Sequence, residues 1–463
     1  MSDLDRMKKT GNFSRRVAKY LKMDLPVDEE AGSSGLMSQQ LHAVNPSDST
    51  DLPSEPQEHQ GEGSIHSEDP NLTDYLESSD DESFGSEEDY KSFDLLPLLV
   101  CVRKTTPSCS QLSLNVSIDG LPLHKSTTLQ YWPILFNINE LPRVPVMAAG
   151  IFYGLSKPEN IEQYLRPLVD EINFLIEHGI IINGKKLFVK LRAIIADTPA
   201  RSFVKGTVGH TGYAGCMKCV VEGQYSREGR TVVFPGVGAP KRTDKGFREN
   251  AYPKHCKMIS PLLDLKDFDI INDVIVADRL HLIDLGVMKR LLIGWRDGSL
   301  GKVRWSTSQC SQISKALGNI KLPAEIHRPL RPVVYAGKWK GSEFASFLHY
   351  ASIVVLKEHL PQECYQHFLL LFCAVTILSS RVYRPMWSLA GQMLERFVTQ
   401  YSHVYGERYI GSNVHNLQHV YEEVARLEYQ LQSIGLQAIW RLVTFGDVPL
   451  TSKLVIKLCD TSI

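Results

Sequence analysis

The stretch that decides the fold is residues 187–199, LFVKLRAIIADTP, in which a run rich in β-forming side chains ends at Asp197. The composition of residues 187–195 favours a β-strand. The Thr-Pro pair that follows the carboxylate indicates that the backbone turns out of the strand there. A carboxylate at the end of a strand is well placed to hold a divalent cation. We therefore expect a strand that presents Asp197 at its end.

Three more strands are predicted upstream. Residues 112–118 alternate apolar and polar side chains and end at Asp119, which is followed by a glycine. Residues 129–138 form the predicted second strand, where Pro133 indicates a sheet edge or a bulge. Residues 144–153 are the third. The first strand, like the stretch at 187–195, thus ends on a carboxylate.

A long helix separates these strands from the fourth. Residues 158–178 place apolar side chains at helical spacing, and an Asn-Gly turn at 183–184 leads into the strand that ends at Asp197. The order strand, strand, strand, helix, strand is typical of an RNase H-like α/β domain, in which strands one and four are neighbours. Adjacent parallel strands would bring Asp119 and Asp197 close enough to share metal ions for phosphodiester chemistry. Taken singly, an Asp at such a position is more often a turn residue or a helix cap than a metal ligand.

Loops and then helices follow the fourth strand. Residues 200–260 are rich in Gly, Lys and Arg, and the segment 233–244 is suited to tracking a phosphate backbone. Asp278 and His281 lie on one helical face or at a helix start. We interpret the later helices as a large, mainly helical insertion in the mixed sheet; they are predicted at residues 344–360, 362–380 and 387–403.

Two pairs of metal-binding side chains flank this insertion. Cys216 and Cys219 form a Cys-x2-Cys pair, and His415 and His419 lie four residues apart on one face of a predicted helix. Together they would complete a tetrahedral Cys2His2 zinc site. The alternative is that the thiols and the imidazoles are unrelated, and the other candidate ligands are His210, His255 and Cys256.

The charge distribution divides the chain unevenly. Residues 24–90 contain nineteen Asp and Glu and no Lys or Arg, whereas residues 91–463 contain 44 Lys and Arg against 31 Asp and Glu. The resulting net charge of +13 on residues 91–463 suits a polyanionic partner such as DNA. A basic surface without a nucleic-acid role is the alternative.

Composition also predicts the organisation of the chain. The Ser-, Asp-, Glu- and Pro-rich stretch cannot bury enough apolar surface to offset its ordering entropy, so we expect it to be disordered. The basic N-terminal segment suits a short amphipathic helix, a nuclear-import signal, a DNA-contacting arm or a solvated tail. The predicted divisions are a basic segment 1–23, a disordered acidic linker 24–92, a core 93–205, a zinc-associated loop and helical insertion 206–404, and a terminal helix with a divergent tail 405–463.

The longest apolar run, residues 368–378, is too short to span a membrane and is interpreted as a buried helix. The nine cysteines are unevenly spaced and do not suggest a disulfide framework. We therefore expect a soluble protein of a reducing compartment, the cytosol or the nucleus, with no membrane partner.

Four motifs stand out in the sequence: SIDGLP at 117–122, IADTPAR at 195–201, KGTVGHTGYAGCMKC at 205–219 and DRLHLIDLGVMK at 278–289. They resemble motifs of the DDE transposases of CACTA-type and related insect DNA transposons, over about residues 90–428. The resemblance implies that Asp119 and Asp197 are catalytic acids binding Mg²⁺ or Mn²⁺. It also implies a structural zinc at the Cys and His pairs, transposon-end and target DNA as partners, a nuclear location and a possible homodimer. Asp278 and His281 match the Asp-x-x-His signature, an accessory element between the second and third acids.

The third catalytic acid is not identified. In the family a Glu follows the His pair, but residues 431–450 contain no Glu, and the nearby acids are Glu428 and Asp447. Beyond Glu428 the sequence departs from the family pattern, as a truncated or differently spliced copy would. Two hypotheses follow: a transposase-derived protein whose metal-dependent cleavage and strand transfer of DNA are impaired, and a catalytically inactive DNA- or protein-binding protein.

Overall fold

In the computed structural model a mixed β-sheet occupies the first part of the described chain, which comprises residues 89–92, 95, 109–122, 129–142 and 144–432. The strands in this part of the chain are β1 (Asp89–Ser92), β2 (Gln111–Ile118), β3 (Leu121–Pro122), β4 (Gln130–Ile138), β5 (Met147–Gly154), β6 (Ile180–Ile182), β7 (Lys185–Ala196), β8 (Gln224–Ser226), β9 (Thr231–Val233) and β10 (Val274–Ile275). The four strands expected from the sequence are present as β2, β4, β5 and β7.

The main path of the sheet runs β1-β5-β4-β2-β7-β10, with β3 paired to β4 and β6 to β7. Neighbours from β1 to β2 along this path are antiparallel, whereas β2, β7 and β10 are mutually parallel. The pairing of β2 with β7 contains one register shift, between Leu114 and Asn115, and ends with Ile118 opposite Ala196. The predicted adjacency of the first and fourth strands is therefore confirmed. Asp119 is the residue that follows β2, and Asp197 is the residue that follows β7.

The turn into β7 and the helix before it follow the sequence pattern. Asn183 and Gly184 both have positive φ, 50° and 76°, and connect β6 to β7 as the Asn-Gly pair predicts. Helix α1 (Ile161–His178) is capped by Asn160, whose side chain accepts from two backbone amides of the first turn. Its apolar face is buried in one core with the inner faces of the strands. These contacts fix the orientation of β7.

Helices dominate the rest of the described chain and surround a second apolar core. Two π-helical segments, Arg279–Met288 and Phe347–Ala351, interrupt the α-helical pattern. The second divides the helix predicted at 344–360. The remaining α-helices are α2 (Thr198–Val204), α3 (Asp244–Arg248), α4 (Lys289–Asp297), α5 (Thr307–Asn319), α6 (Gly341–Ser346), α7 (Ser352–Lys357), α8 (Gln362–Leu378), α9 (Trp387–Tyr405), α10 (Ser412–Asn416) and α11 (Val420–Gln432).

Two predicted boundaries need correction. The composition predicts disorder through residue 92, but Asp89–Ser92 form β1, whose backbone pairs with β5 although its sequence is polar. The segment 206–404 is predicted to be loop and helix, yet β10 within it joins the sheet beside β7. Two-residue strands are too short for a sequence pattern to reveal. The predictions for residues 1–88 and 433–463 lie outside the described residues.

Helix α8 confirms the interpretation of the long apolar run as a buried helix. Its side chains from Phe368 to Leu378 are all buried. Such a helix is expected at the centre of a helical domain, because it is apolar on every side. Among the helices that the structure describes, none has the length and apolarity required to cross a membrane.

We expect Leu371→Ala, in the centre of α8, to lower the free energy of unfolding by about 2–5 kcal/mol, because the side chain is fully buried and its loss leaves a cavity. Val354→Ala is the control, since Val354 is 70% exposed and its truncation should change stability little. Urea denaturation of both variants measures the difference. Equal stability of the two variants would contradict the central position of α8.

Candidate metal centres

The structure brings the four predicted zinc ligands into one buried cluster. One ligand atom from each of Cys216, Cys219, His415 and His419 lies within 4.8 Å of the others. The Sγ atoms are 3.5 Å apart, and Cys219 Sγ lies 3.3 Å from His415 Nε2. Cys216 Sγ lies 3.5 Å from His419 Nε2. Two pairs of ligands, distant along the chain, therefore converge, the thiols from a loop and the imidazoles from a helical segment.

These separations fit a tetrahedral zinc ion. Bond lengths of about 2.3 Å to sulfur and about 2.0 Å to nitrogen imply ligand-to-ligand distances of about 3.3–3.8 Å in tetrahedral geometry. The four donors are two thiols and two imidazoles, a set suited to a closed structural zinc site. All four side chains are buried. The cluster can thus bind a metal such as zinc.

The Cys pair is held by a tight loop. The backbone amides of Lys218 and Cys219 point at Cys216 Sγ, at 3.5 and 3.4 Å. Gly215 is needed before it, because a Cβ there would lie 2.6 Å from the carbonyl oxygen of Gly209. Arg242 Nε donates to the carbonyl oxygen of Cys216 at 3.2 Å and fixes the loop from the other side.

The His pair lies where α10 passes into a short 3₁₀ turn, Leu417–His419, before α11 begins. The predicted single helix is therefore interrupted, but the spacing still points both rings at the thiols. Phe234 packs against the ring of His415 at 5.7 Å. Gln418 Nε2 lies 3.1 Å from His415 Nδ1, a contact of the kind that orients a metal-bound imidazole.

Electrostatics at the cluster favour loss of one thiol proton. Burial alone raises the pKa of Cys216, but hydrogen bonds from Cys219, His415 and His419 outweigh it and hold that pKa well below its usual range. The hydrogen bond to Cys216, together with burial, raises the pKa of Cys219. Cation binding must then displace the proton from Cys219, so metal uptake should weaken as the pH falls.

The alternative ligands do not join this cluster. His210 is exposed. The Nδ1 atom of His255 bonds to the carbonyl oxygen of Ala214 at 2.7 Å, and burial lowers the pKa of this ring to about 3. Cys256 is half-buried, and its backbone bridges to Thr207. Among the residues that the structure describes, the Cys2His2 group is the metal-ligand cluster found.

The two predicted catalytic acids lie at the ends of adjacent parallel strands. Asp119 follows β2 and Asp197 follows β7, directly beyond the paired residues Ile118 and Ala196. Burial, followed by the negative charge of Asp197, raises the pKa of Asp119. Asp197 also caps α2, because its Oδ1 accepts from the amide of Ala200 at 2.8 Å. The helix-cap role and a place beside Asp119 are therefore compatible.

Asp278 and His281 belong to the same neighbourhood. Asp278 begins the first π-helical segment, and its Oδ1 accepts from the amide of Leu280 at 2.9 Å. Its Oδ2 accepts a hydrogen bond from His281 Nδ1. This bond, with the charges of Asp278, Asp119 and Asp197, raises the pKa of His281. The Asp-x-x-His pair thus lies within electrostatic reach of both strand-end acids.

Sequence reasoning missed the buried carboxylate of Glu423 on α11. It pairs with the ammonium of Lys218 and accepts from the backbone amides of Val276 and Ala277. Its position four residues after His419 was the available sequence cue. The side chain of Glu428 is not among those the structure describes, and Asp447 lies outside the described residues. The third acid stays unidentified.

Comparison with known proteins finds no protein-family model and no curated protein that matches this chain. The resemblance drawn from the motifs stays a prediction. Any assignment of function must therefore start from the geometry of the two sites.

We expect the purified chain to bind one zinc ion, and Cys216→Ser or His419→Ala to lose it. Each change removes one of four buried ligands, so the melting temperature should also fall markedly. The matched controls are Cys256→Ser and His210→Asn, which should retain the metal. Elemental analysis with thermal melts measures both effects. Zinc retained in the ligand variants would contradict the site.

We expect Asp119→Asn to stabilise the zinc-loaded protein in buffer without added magnesium or manganese. A carboxylate whose pKa is raised in the folded state costs stability when it is ionised, and this cost disappears as falling pH protonates it. The gain in melting temperature should thus be larger at pH 8 than at pH 4.5, which is close to the ordinary pKa of an aspartate. Asp264→Asn, at a side chain 61% exposed, is the control. A gain independent of pH would contradict the explanation.

Proposed function

We propose that this chain is a transposase-derived DNA-binding protein with an RNase H-like DDE core, in which Asp119 and Asp197 bind a divalent cation for phosphodiester chemistry on DNA. The observation behind the proposal is the register of β2 and β7, which leaves one carboxylate at the end of each of two adjacent parallel strands. Burial, followed by the negative charge of Asp197, raises the pKa of Asp119, as expected of a buried carboxylate beside a second carboxylate.

The strand order supports the same proposal. With the predicted strands β2, β4, β5 and β7 counted as one to four and β10 as five, the main path after the edge strand β1 reads 3-2-1-4-5. Among these five strands, strand two is antiparallel to the others. This is the arrangement expected of an RNase H-like sheet. The order of elements in the sequence independently predicts the central pairing of strands one and four.

The two metal sites would differ in chemistry. Carboxylate oxygens are hard ligands that suit Mg²⁺ or Mn²⁺, whereas thiolates with imidazoles suit zinc. A cation on Asp119 and Asp197 would supply activation of water and stabilisation of the leaving oxygen. Asp197 is held by its cap on α2, and Asp278 orients His281 beside the acids. Zinc at the Cys2His2 cluster would be structural.

A second candidate is a catalytically inactive protein that binds DNA or another protein. It is favoured by the engagement of Glu423, whose oxygens already accept from two amides and pair with Lys218. With these contacts the Glu423 carboxylate is poorly available to a catalytic cation, so it does not readily serve as the missing third acid. The basic composition of residues 91–463 suits DNA in either case. A nuclear location and a homodimer belong to the first proposal as expectations.

We expect the chain to nick supercoiled plasmid DNA in the presence of Mn²⁺, and Asp119→Asn or Asp197→Asn to lower the rate by about a hundredfold or more, because each change removes a cation ligand worth several kcal/mol in the transition state. Gel electrophoresis of the plasmid measures the rate. The control is Asp264→Asn, an exposed carboxylate paired with Arg166, which should leave the rate unchanged.

Binding without cleavage would favour the second candidate. Fluorescence anisotropy with labelled duplex DNA at several salt concentrations measures affinity separately from nicking. Salt-sensitive binding that neither aspartate variant changes, with no nicking by the native chain, would replace the enzymatic proposal by the binding one. If the native chain neither nicks nor binds DNA, the proposal that DNA is its partner is wrong.

A further inference from the structure

Lys218 lies between the two zinc-binding cysteines but points away from the metal cluster. Its side chain is buried, and its Nζ donates to the carbonyl oxygens of Ile271 and Val274 at 2.5 and 3.1 Å. It also forms a buried ion pair with Glu423. The loop that presents the thiols is therefore bonded directly to the backbone around β10.

Glu423 makes the matching connection from the histidine side. It lies four residues after His419, about one helical turn further along. Its Oε1 and Oε2 accept from the amide of Val276 at 3.0 and 2.9 Å, and Oε2 accepts from the amide of Ala277 at 2.6 Å. These amides come directly after β10 and directly before Asp278.

Both halves of the Cys2His2 cluster thus contact the same short segment, residues 271–277, which leads to Asp278 and His281. Arg201 extends the connection, since its guanidinium donates to the carbonyl oxygen of Ala196 at 2.8 Å. Burial lowers the pKa of Arg201, and the charges of Glu423, Asp278 and Asp197 act in the opposite direction. The guanidinium is therefore within electrostatic reach of all three carboxylates.

A buried ion pair is a poor source of stability on its own, because desolvation offsets most of the attraction. The Lys218–Glu423 pair instead holds backbone groups in position. Glu423 accepts from two amides and Lys218 donates to two carbonyls, so the pair fixes the backbone on both sides of β10. Apolar replacements would leave these backbone groups without partners.

We propose that Lys218 and Glu423 are positioning residues, whose buried pair couples the Cys2His2 site to the backbone after β10 and so holds Asp278 and His281 beside Asp119 and Asp197. The inference rests on the proposed function for the role of the acidic site. It gives the zinc cluster a second role, because metal binding there would set the geometry of the carboxylate site as well as close the fold.

The test compares Glu423→Gln with Glu422→Gln. Glutamine has one acceptor oxygen and an amide that would face Lys218 or a backbone N–H, so the bonds to residues 276 and 277 cannot all persist. Glu422 is the neighbouring residue, pairs with Lys241 at the surface and is the matched control. Hydrogen exchange of residues 274–281, zinc content and Mn²⁺ affinity measured by electron paramagnetic resonance are the three readouts.

We expect Glu423→Gln to keep its zinc while exchange in residues 274–281 rises and Mn²⁺ affinity falls, each by about tenfold, the effect of losing one to two buried hydrogen bonds. Glu422→Gln should match the native chain. In Lys218→Gln and the Lys218→Gln/Glu423→Gln double variant the effects should not add, because the residues act as a unit. Native exchange and native Mn²⁺ affinity in Glu423→Gln would overturn the inference.

If Glu423→Gln does not fold, the native chain gives the same test at different zinc loadings: residues 274–281 should exchange faster as zinc is withdrawn, and unchanged exchange would overturn the inference. The proposed function fails separately. If the native chain binds no Mn²⁺, the carboxylate site is not a metal site. Hydrogen exchange then still decides whether Lys218 and Glu423 couple the zinc cluster to residues 274–281.

Discussion

The parallel pairing of β2 with β7 is the constraint on which the candidate active region depends. The register ends with Ile118 opposite Ala196, so the next residue on each strand is an aspartate. Two carboxylates brought together in this way repel each other, and the raised pKa of Asp119 reflects both its burial and this repulsion. The fold therefore holds a local electrostatic cost, which a divalent cation would relieve.

The Cys2His2 cluster joins the two parts of the described chain. The thiols come from the loop after α2, close to the sheet, and the imidazoles follow the long helices of the second core. A metal bound to both would close the helical part onto the sheet. Because Lys218 and Glu423 extend from the two halves of the cluster to the backbone around β10, this closure reaches the segment that carries Asp278. The Cys2His2 cluster is thus connected to the segment of the acidic site through Lys218 and Glu423.

Much of this was predictable from local patterns. Alternating side chains indicated the strands, helical spacing indicated α1, and the Asn-Gly pair indicated the turn before β7, because each depends on neighbouring residues alone. The Cys-x2-Cys and His-x3-His spacings also predicted the four side chains that the structure brings into one buried cluster. The short strands β1 and β10 were missed, since a strand of two to four residues depends on its partner for stability rather than on its own pattern.

The sequence by itself determined the residue types and their local spacing: two acids at strand ends, a thiol pair, an imidazole pair and a basic main region. Only the tertiary structure decided which of them meet. The contact between Cys219 and His415 spans 196 residues, and Lys218 and Glu423 are separated by a similar distance along the chain. Neither contact can be predicted from a periodic pattern in the sequence. Such contacts arise from strand order and helix packing, which bring together side chains that no local rule connects.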